Sequence, residues 1–131
     1  MRKGHALLAA MVVLMLVASA AALLASHLGL KARLVSQETR RIHLVALSDA
    51  AMAEALAELA AKSSFRGHDE REFGDGVIAS RVRSLPDDQA QITAVATYRG
   101  WTRRTRALVA LRSTGPEVLT WSILPPGSGD R

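Results

Sequence analysis

The stretch from Ala6 to Leu30 constrains this chain more than any other feature, because none of its 25 residues is charged. Of these residues, 21 are Ala, Val, Leu or Met. At about 1.5 Å per residue, a helix of this length reaches about 37 Å, which is enough to cross a hydrocarbon layer about 30 Å thick with some tilt. We therefore expect a membrane-spanning helix, and the chain is not wholly soluble while this stretch is attached.

The same stretch has a second interpretation, as a cleaved secretory signal. Arg2 and Lys3 form a basic start, and the triplet Ala18, Ser19 and Ala20 satisfies the small-residue rule for cleavage. The apolar run continues for ten residues beyond this triplet, whereas a cleaved signal has an apolar region of about 7–15 residues. The length of the run therefore favours a retained span.

The basic residues on either side of the span conflict about its orientation. Two precede it, and four follow it at Lys31, Arg33, Arg40 and Arg41. A count of Lys and Arg alone favours the opposite orientation, with the N-terminus outside. We nevertheless expect the N-terminus to stay inside, because a very short tail is easily retained and the second half of the chain has the pattern of an envelope domain.

Residues 31–63 are predicted to continue the same helix beyond the membrane, because they lack proline and glycine and are rich in residues of high helix propensity. We expect one helix from about Gly4 to Lys62. A heptad frame gives one row of Val35, Ile42, Asp49 and Leu56 and a second row of Glu38, Val45, Met52 and Leu59. Six of these eight residues are apolar, which predicts a stripe that covers the chain's own sheet or packs against other helices.

Residues 64–131 predict a small antiparallel β domain that ends in a loose tail from Pro125. Short turn-forming segments separate four predicted strands, which are Gly76–Ser84, Gln89–Tyr98, Trp101–Arg112 and Glu117–Leu124. Short connections favour a meander. The predicted fold class is therefore α+β, with a long N-terminal helix, transmembrane and then amphipathic, packed on a four-stranded antiparallel sheet.

The dipeptide Arg99-Gly100 predicts the register of the central hairpin. As a two-residue loop, it pairs Tyr98 with Trp101 and Ile92 with Ala107. The face expected under the helix then carries Ile92, Ala94, Ala96, Tyr98, Trp101, Ala107, Val109 and Leu111. The opposite face, expected to be solvated, carries Thr93, Val95, Thr97, Thr102, Arg104 and Arg106.

The sequence shows little sign of a catalytic site, and we expect no enzymatic activity, cofactor or metal. It has no cysteine, which excludes disulfides and thiol chemistry, and no phosphate-binding loop or nucleophile elbow. The four histidines, His5, His27, His43 and His68, have no metal-ligand spacing. The acidic residues Asp69, Glu70, Glu72 and Asp75 lack the spacing of a calcium loop and are predicted to form a solvated loop before the first strand.

One basic segment is a candidate binding surface. Five arginines fall within 14 residues beside Tyr98 and Trp101, namely Arg99, Arg103, Arg104, Arg106 and Arg112. Such a set can bind phosphates and stack on bases, so nucleic acid is a candidate partner. A solvated strand is the favoured alternative, because arginine is the default cation in a chain with 14 Arg and 3 Lys.

The order of these segments resembles the type IV pilin-like superfamily, specifically a minor pilin or a type II secretion pseudopilin. A short basic start ends in Lys3 and Gly4, and His5-Ala6-Leu7-Leu8 opens the long aliphatic helix. That helix becomes amphipathic and leads into a sheet with the hairpin TYRG–WTRRTRALV, residues 97–109.

The resemblance implies a processing step and a membrane-to-filament path. Prepilin peptidase would remove residues 1–4 by cutting after Gly4 and leave His5 as a methylated N-terminus. The helix of residues 5–30 would anchor the chain in the inner membrane, with the C-terminal domain periplasmic or, in a filament, extracellular. It would then pack against other pilin or pseudopilin subunits through Ala9, Ala10, Val13, Leu16, Val17, Ala20 and Leu24, since small residues suit close helix approach.

Ala9 departs from the pattern of major pilins, which carry a glutamate at the fifth position of the mature chain. The resemblance therefore implies a minor subunit that helps prime or cap a type IV pilus or type II secretion filament. Two alternatives stay open. One is an unprocessed, single-pass inner-membrane scaffold with a small periplasmic domain, and the other is a secreted binding domain that begins at Ala21.

Overall fold

The computed structural model of the protein describes residues 2–126, with side chains from Gly4 onward. The elements are helix α1 (Arg2–Ala61) and strands β1 (Gly67–Phe73), β2 (Gly76–Leu85), β3 (Gln89–Tyr98), β4 (Trp101–Arg112) and β5 (Gly115–Leu124). The fold is α+β, as predicted. The chain divides into two compact units, residues 1–39 and residues 40–131. Most of the predicted loose tail, residues 127–131, lies outside the described residues.

Helix α1 agrees with the predicted helix to within two residues at each end. After its last turn, the Lys62 N–H donates to the Glu58 carbonyl at 2.8 Å, and the Phe65 N–H donates to the Lys62 carbonyl at 3.0 Å. The chain therefore leaves the helix through Ser63 and Ser64, where the sequence predicts its end.

The sheet has five antiparallel strands in the order β1-β2-β3-β4-β5, so the prediction of four strands was wrong. The additional strand, β1, contains Asp69, Glu70 and Glu72, which were predicted to lie in a loop. It is an edge strand that pairs only with β2, and its residues from Asp69 onward are exposed. An edge strand with little burial needs no alternation of apolar and polar residues, and its charges protect the open edge.

The predicted register of the central hairpin is confirmed. Tyr98 pairs with Trp101, and Ile92 pairs with Ala107. The two loop residues, Arg99 and Gly100, have φ angles of 47° and 80°. Two consecutive left-handed residues make the primed turn that matches the twist of the strands it joins.

One face of the sheet is buried under residues 44–59 of α1. The buried sheet residues include Ile92, Ala94, Ala96 and Ala107, each 0% exposed. Trp101 was expected on this covered face, but it is 53% exposed. The helix contact at this end of the hairpin comes instead from His43, whose ring stacks on Tyr98 with the ring centroids 4.8 Å apart.

The buried stripe of the helix differs from the predicted heptad rows. Its members are Leu44, Leu47, Ser48, Ala51, Met52, Ala55 and Leu59. Met52 and Leu59 belong to the predicted rows, whereas Val35 and Ile42 are 66% and 60% exposed and Asp49 is also exposed. The stripe follows a repeat of 3.6 residues, and alanines occupy its centre because they allow the helix to approach a sheet face that is itself rich in alanine.

A buried polar pair joins the helix to the sheet inside this apolar core. The hydroxyl groups of Ser48 and Thr105 form a hydrogen bond, and the two residues are 0% and 1% exposed. A buried hydroxyl that loses its partner carries the full cost of its desolvation. The pair therefore favours one axial position of the helix over strand β4.

Replacement of Ala55 by Leu should lower the free energy of unfolding by about 1–3 kcal/mol, because the alanine has no space around it. The matched control is Ala53→Leu, on an exposed position two residues away, which should leave the free energy nearly unchanged. Denaturant unfolding of the full chain in mild detergent, followed by circular dichroism, measures both. Equal effects of the two substitutions would contradict this packing.

Replacement of Ser48 by Ala should lower the free energy of unfolding by about 1–3 kcal/mol, because it leaves the buried Thr105 hydroxyl without its partner. The double variant Ser48→Ala/Thr105→Val removes both polar groups and should recover most of that loss. The same unfolding measurement on the two single variants and the double variant gives the coupling energy. Additive losses would mean that the hydroxyls do not act as a pair.

Candidate interaction surfaces

The N-terminal unit presents apolar side chains that nothing in the described chain covers. Every described side chain from Gly4 to Val35 is exposed. This includes all of the predicted filament-core residues, namely Ala9, Ala10, Val13, Leu16, Val17, Ala20 and Leu24. Within the described residues, α1 is the one helix long and apolar enough to cross a membrane, with a mean hydropathy of 2.7 in its best window. Helix α1 is therefore a candidate single-pass span. An N-terminal signal sequence has the same length and apolar character.

The predicted processing site, Gly4 and His5, lies within α1. Both residues are exposed. A Cβ atom built on Gly4 meets no atom within 4 Å. A substitution by alanine at this position therefore tests processing without disturbing any packing.

The five arginines of the predicted basic surface do not lie together. Arg99 occupies the hairpin turn with its guanidinium 5.3 Å from the Tyr98 ring centroid, and Arg112 forms an ion pair with Glu117. Strand alternation places Arg103 on the helix side of β4, whereas Arg104 and Arg106 lie on the opposite side, the outer sheet face. The same alternation also places Arg112 on the outer sheet face, so three of the five arginines share a side of the sheet, whereas Arg99 and Arg103 do not join them. Nucleic-acid binding stays a prediction.

Two further arginines, Arg81 and Arg83 on β2, lie on the outer sheet face. Thr93 pairs with Arg81 on one side and with Arg106 on the other, so these arginines are about 10 Å apart across one intervening strand. Thr93 is only 9% exposed although it was predicted to be solvated, because long arginine side chains cover the small residue between them. The alternation of residues along β2 is the sequence signal for this position of Arg81 and Arg83, but two arginines in ten residues form a much weaker cluster than the five of residues 99–112.

An open cleft of about 600 Å³ lies at the β1 side of the outer sheet face. Its charged lining residues are Arg66, Asp69, Glu70, Arg81 and Arg104, together with His68. Because both carboxylates and guanidinium groups line it, the cleft has no single sign of charge. Within the part of the chain that the structure describes, no three His, Asp or Glu side chains lie close enough to hold a metal ion.

Glu54 connects the helix to the edge strand β1. Its carboxylate forms an ion pair with Arg71 and lies 3.5 Å from Nε2 of His68. The His68 ring also makes an edge contact with Phe65, with the centroids 5.0 Å apart, and its backbone N–H donates to the Ser80 hydroxyl at 3.1 Å. This arrangement is structural, since it attaches an exposed strand to the body of the domain.

At the edge of the sheet opposite β1, strand β5 leaves an apolar surface uncovered. Val118, Trp121 and Ile123 pair with Val109, Ala107 and Thr105, which are buried under the helix. The three β5 side chains therefore lie on the helix side of the sheet, yet they are 40%, 45% and 58% exposed. We name them the β5 shelf. The sequence predicted the strand, but it did not show how far the helix extends across the sheet.

The resemblance to type IV pilin-like proteins rests on the order of the segments and on residues 2–9. Protein-family models, curated proteins and solved structures were all compared with this chain, and none of them matches it. The resemblance therefore stays a prediction from the sequence.

Replacement of Glu54 by Ala should loosen the attachment of strand β1 to the helix, with only a small effect on the free energy of unfolding of the whole domain. Partly exposed ion pairs contribute about 1 kcal/mol or less to the free energy of unfolding, but β1 has a neighbour on one side only. We expect faster amide hydrogen exchange in residues 68–73 and little change in β3. Glu58→Ala, an exposed position on the same helix, is the control, and equal exchange in both variants would contradict the role of Glu54.

Proposed function

We propose that this protein is a non-enzymatic structural subunit, a minor pilin or pseudopilin that helps prime or cap a type IV pilus or type II secretion filament. One observation carries the proposal. A single helix, α1, has an exposed, uncharged and largely apolar stretch over residues 6–30 and is covered by a sheet over residues 44–59. One element thus combines a membrane or filament anchor with the core of a small domain.

The exposed half of α1 requires a cover, because apolar surface of this extent is unstable in water. Lipid supplies that cover while the chain is anchored in the inner membrane. In a filament, the same surface would pack against the helices of neighbouring subunits. Ala9, Ala10 and Ala20 support this second environment, since small side chains allow helix backbones to approach closely.

Ala9 supports a minor rather than a repeating role. Residues 6–30 contain no carboxylate, so this part of the helix has no acidic group to pair with the N-terminal amine of a neighbour. A subunit at or near the tip has no subunit above it that needs such a pair. The C-terminal domain, in the periplasm or on the filament, would contact sibling subunits through its loops and sheet edges.

The mature N-terminus tests this proposal. Mass spectrometry of the membrane-bound chain should find a start at His5, with or without a methyl group, when a prepilin peptidase is present. Gly4→Ala should abolish that cleavage, because the peptidase requires glycine before the cut and the substitution disturbs no packing.

The matched control is Ala20→Leu, which alters the alternative signal-cleavage site and should leave the start at His5 unchanged. A start at Met1 in the wild-type chain would contradict the proposal and support an unprocessed scaffold. A start at Ala21 would also contradict it and support a secreted domain.

A further inference from the structure

We propose that this protein forms a parallel, two-fold symmetric homodimer in which the β5 shelf of each protomer covers the outer helix face of the other. The outer helix face consists of Ile42, Ala46, Ala53 and Ala60, all of which are exposed. This contact goes beyond the proposed function, because it identifies a second copy of the chain as a partner of the folded domain before any filament forms.

The side of the helix that faces the β5 shelf follows from the contacts of Glu54. Glu54 contacts β1 through Arg71 and His68, so its side of the helix faces the β1 edge. At about 100° per residue, Val45 and Leu56 lie roughly opposite Glu54 around the helix, toward β5. Both are half-buried apolar residues. Together with the β5 shelf, they form a groove with one helix wall and one sheet floor.

A second helix that fills this groove must belong to a chain in the same membrane orientation, since both chains insert through residues 6–30. Suppose that the outer helix face of the second protomer rests on the β5 shelf of the first. The sheet of the second protomer then lies on the side of its helix that faces away from the first sheet. The two protomers are therefore related by a rotation of about 180° around an axis parallel to the helices. That operation is its own inverse, so it places the first helix on the second shelf as well. The two helices then lie side by side between two sheets.

The areas agree with the requirement of a stable dimer. At about 200 Å² for a large apolar side chain, exposures of 40%, 45% and 58% in the three residues of the β5 shelf leave on the order of 300 Å² of apolar surface. The outer helix face adds a surface of similar size to each protomer. The sum of about 600 Å² per partner, or about 1,200 Å² in total, reaches the lower end of the range for stable specific interfaces.

Two charged residues in the groove are complementary across this two-fold axis. Arg103 lies on the helix side of β4, its Nε is buried without a hydrogen-bond partner, and its guanidinium forms no ion pair with any described residue. Asp49 is exposed and has no ion-pair partner among the described residues either. Asp49 points away from its own sheet, toward the space that the sheet of the partner would occupy.

The axial positions of these two groups also agree. Ser48 bonds to Thr105, and His43 stacks on Tyr98, so Arg103 lies between these two levels along the helix. A two-fold axis parallel to the helices keeps both protomers at the same height. Asp49 of one protomer is then within the reach of an extended arginine side chain from Arg103 of the other, and the pair forms twice.

Disulfide cross-linking in membranes tests the dimer, because the chain has no cysteine of its own. Two differently tagged full-length chains are co-expressed, one with Ala46→Cys and one with Ile123→Cys, and oxidised mildly. Ala46 is the residue of the outer helix face nearest in height to Ile123, because Ile123 pairs with Thr105 and Thr105 bonds to Ser48. We expect a cross-linked heterodimer. Ser122→Cys replaces Ile123→Cys as the matched control, since it lies on the same strand with its side chain on the outer sheet face, and it should cross-link poorly.

A chain with Leu56→Cys as its only substitution tests the symmetry. Two copies of it should cross-link through position 56, because the two-fold axis passes between the helix walls of the two protomers. A cross-link between positions 46 and 123 without self-cross-linking at 56 would overturn the two-fold arrangement. Absence of the 46–123 cross-link, or equal yields with the Ser122→Cys control, would overturn the contact itself.

Charge reversal tests the ion pairs in the same samples. Asp49→Arg or Arg103→Asp, each introduced into both cysteine chains, should lower the yield of the 46–123 cross-link about fivefold through repulsion of like charges. The double reversal in both chains should restore it, and failure of that rescue would contradict the Asp49–Arg103 pair. Cleavage after Gly4, read by mass spectrometry on the same samples, separates this result from the proposed function.

Discussion

The close packing of alanine against alanine between α1 and the sheet is the interaction on which the folded domain depends. Ala51 and Ala55 on the helix and Ala94, Ala96 and Ala107 on the sheet are all at most 2% exposed. Small side chains bring the helix close to the strands, so that the Ser48 and Thr105 hydroxyls can bond within an apolar core. A domain without disulfides is thus held together by one helix.

A helix about 10 Å wide cannot cover five strands spaced about 4.8 Å apart. This mismatch leaves both flanks of the sheet, at β1 and at β5, uncovered by the helix. On the β1 flank, acidic and basic residues and the contacts of Glu54 make the uncovered edge soluble. On the β5 flank, Trp121 and Ile123 leave an apolar surface instead. The two edges therefore differ in chemistry, and only the β5 edge has the composition of an interface.

Much of the fold follows from the sequence because it depends on local signals. The absence of proline before Pro86 predicts the helix, and the dipeptide Arg99-Gly100 predicts the hairpin register down to individual pairs. Strand β1 was missed because an edge strand has no alternating pattern to detect. The buried helix stripe was misassigned because a heptad frame gives weight to large apolar residues, whereas the contact uses alanines and a serine.

The sequence by itself determined that residues 6–30 need an apolar environment and that the rest forms an α+β domain, because composition and short-range periodicity carry that information. Only the tertiary structure decided which arginines share a face, since adjacent residues on a strand point to opposite sides. It also decided that Trp121 and Ile123 are exposed on the helix side and that Asp49 and Arg103 lack partners within the described chain. Those facts depend on the position of the helix across the sheet, which contacts between residues distant in sequence establish.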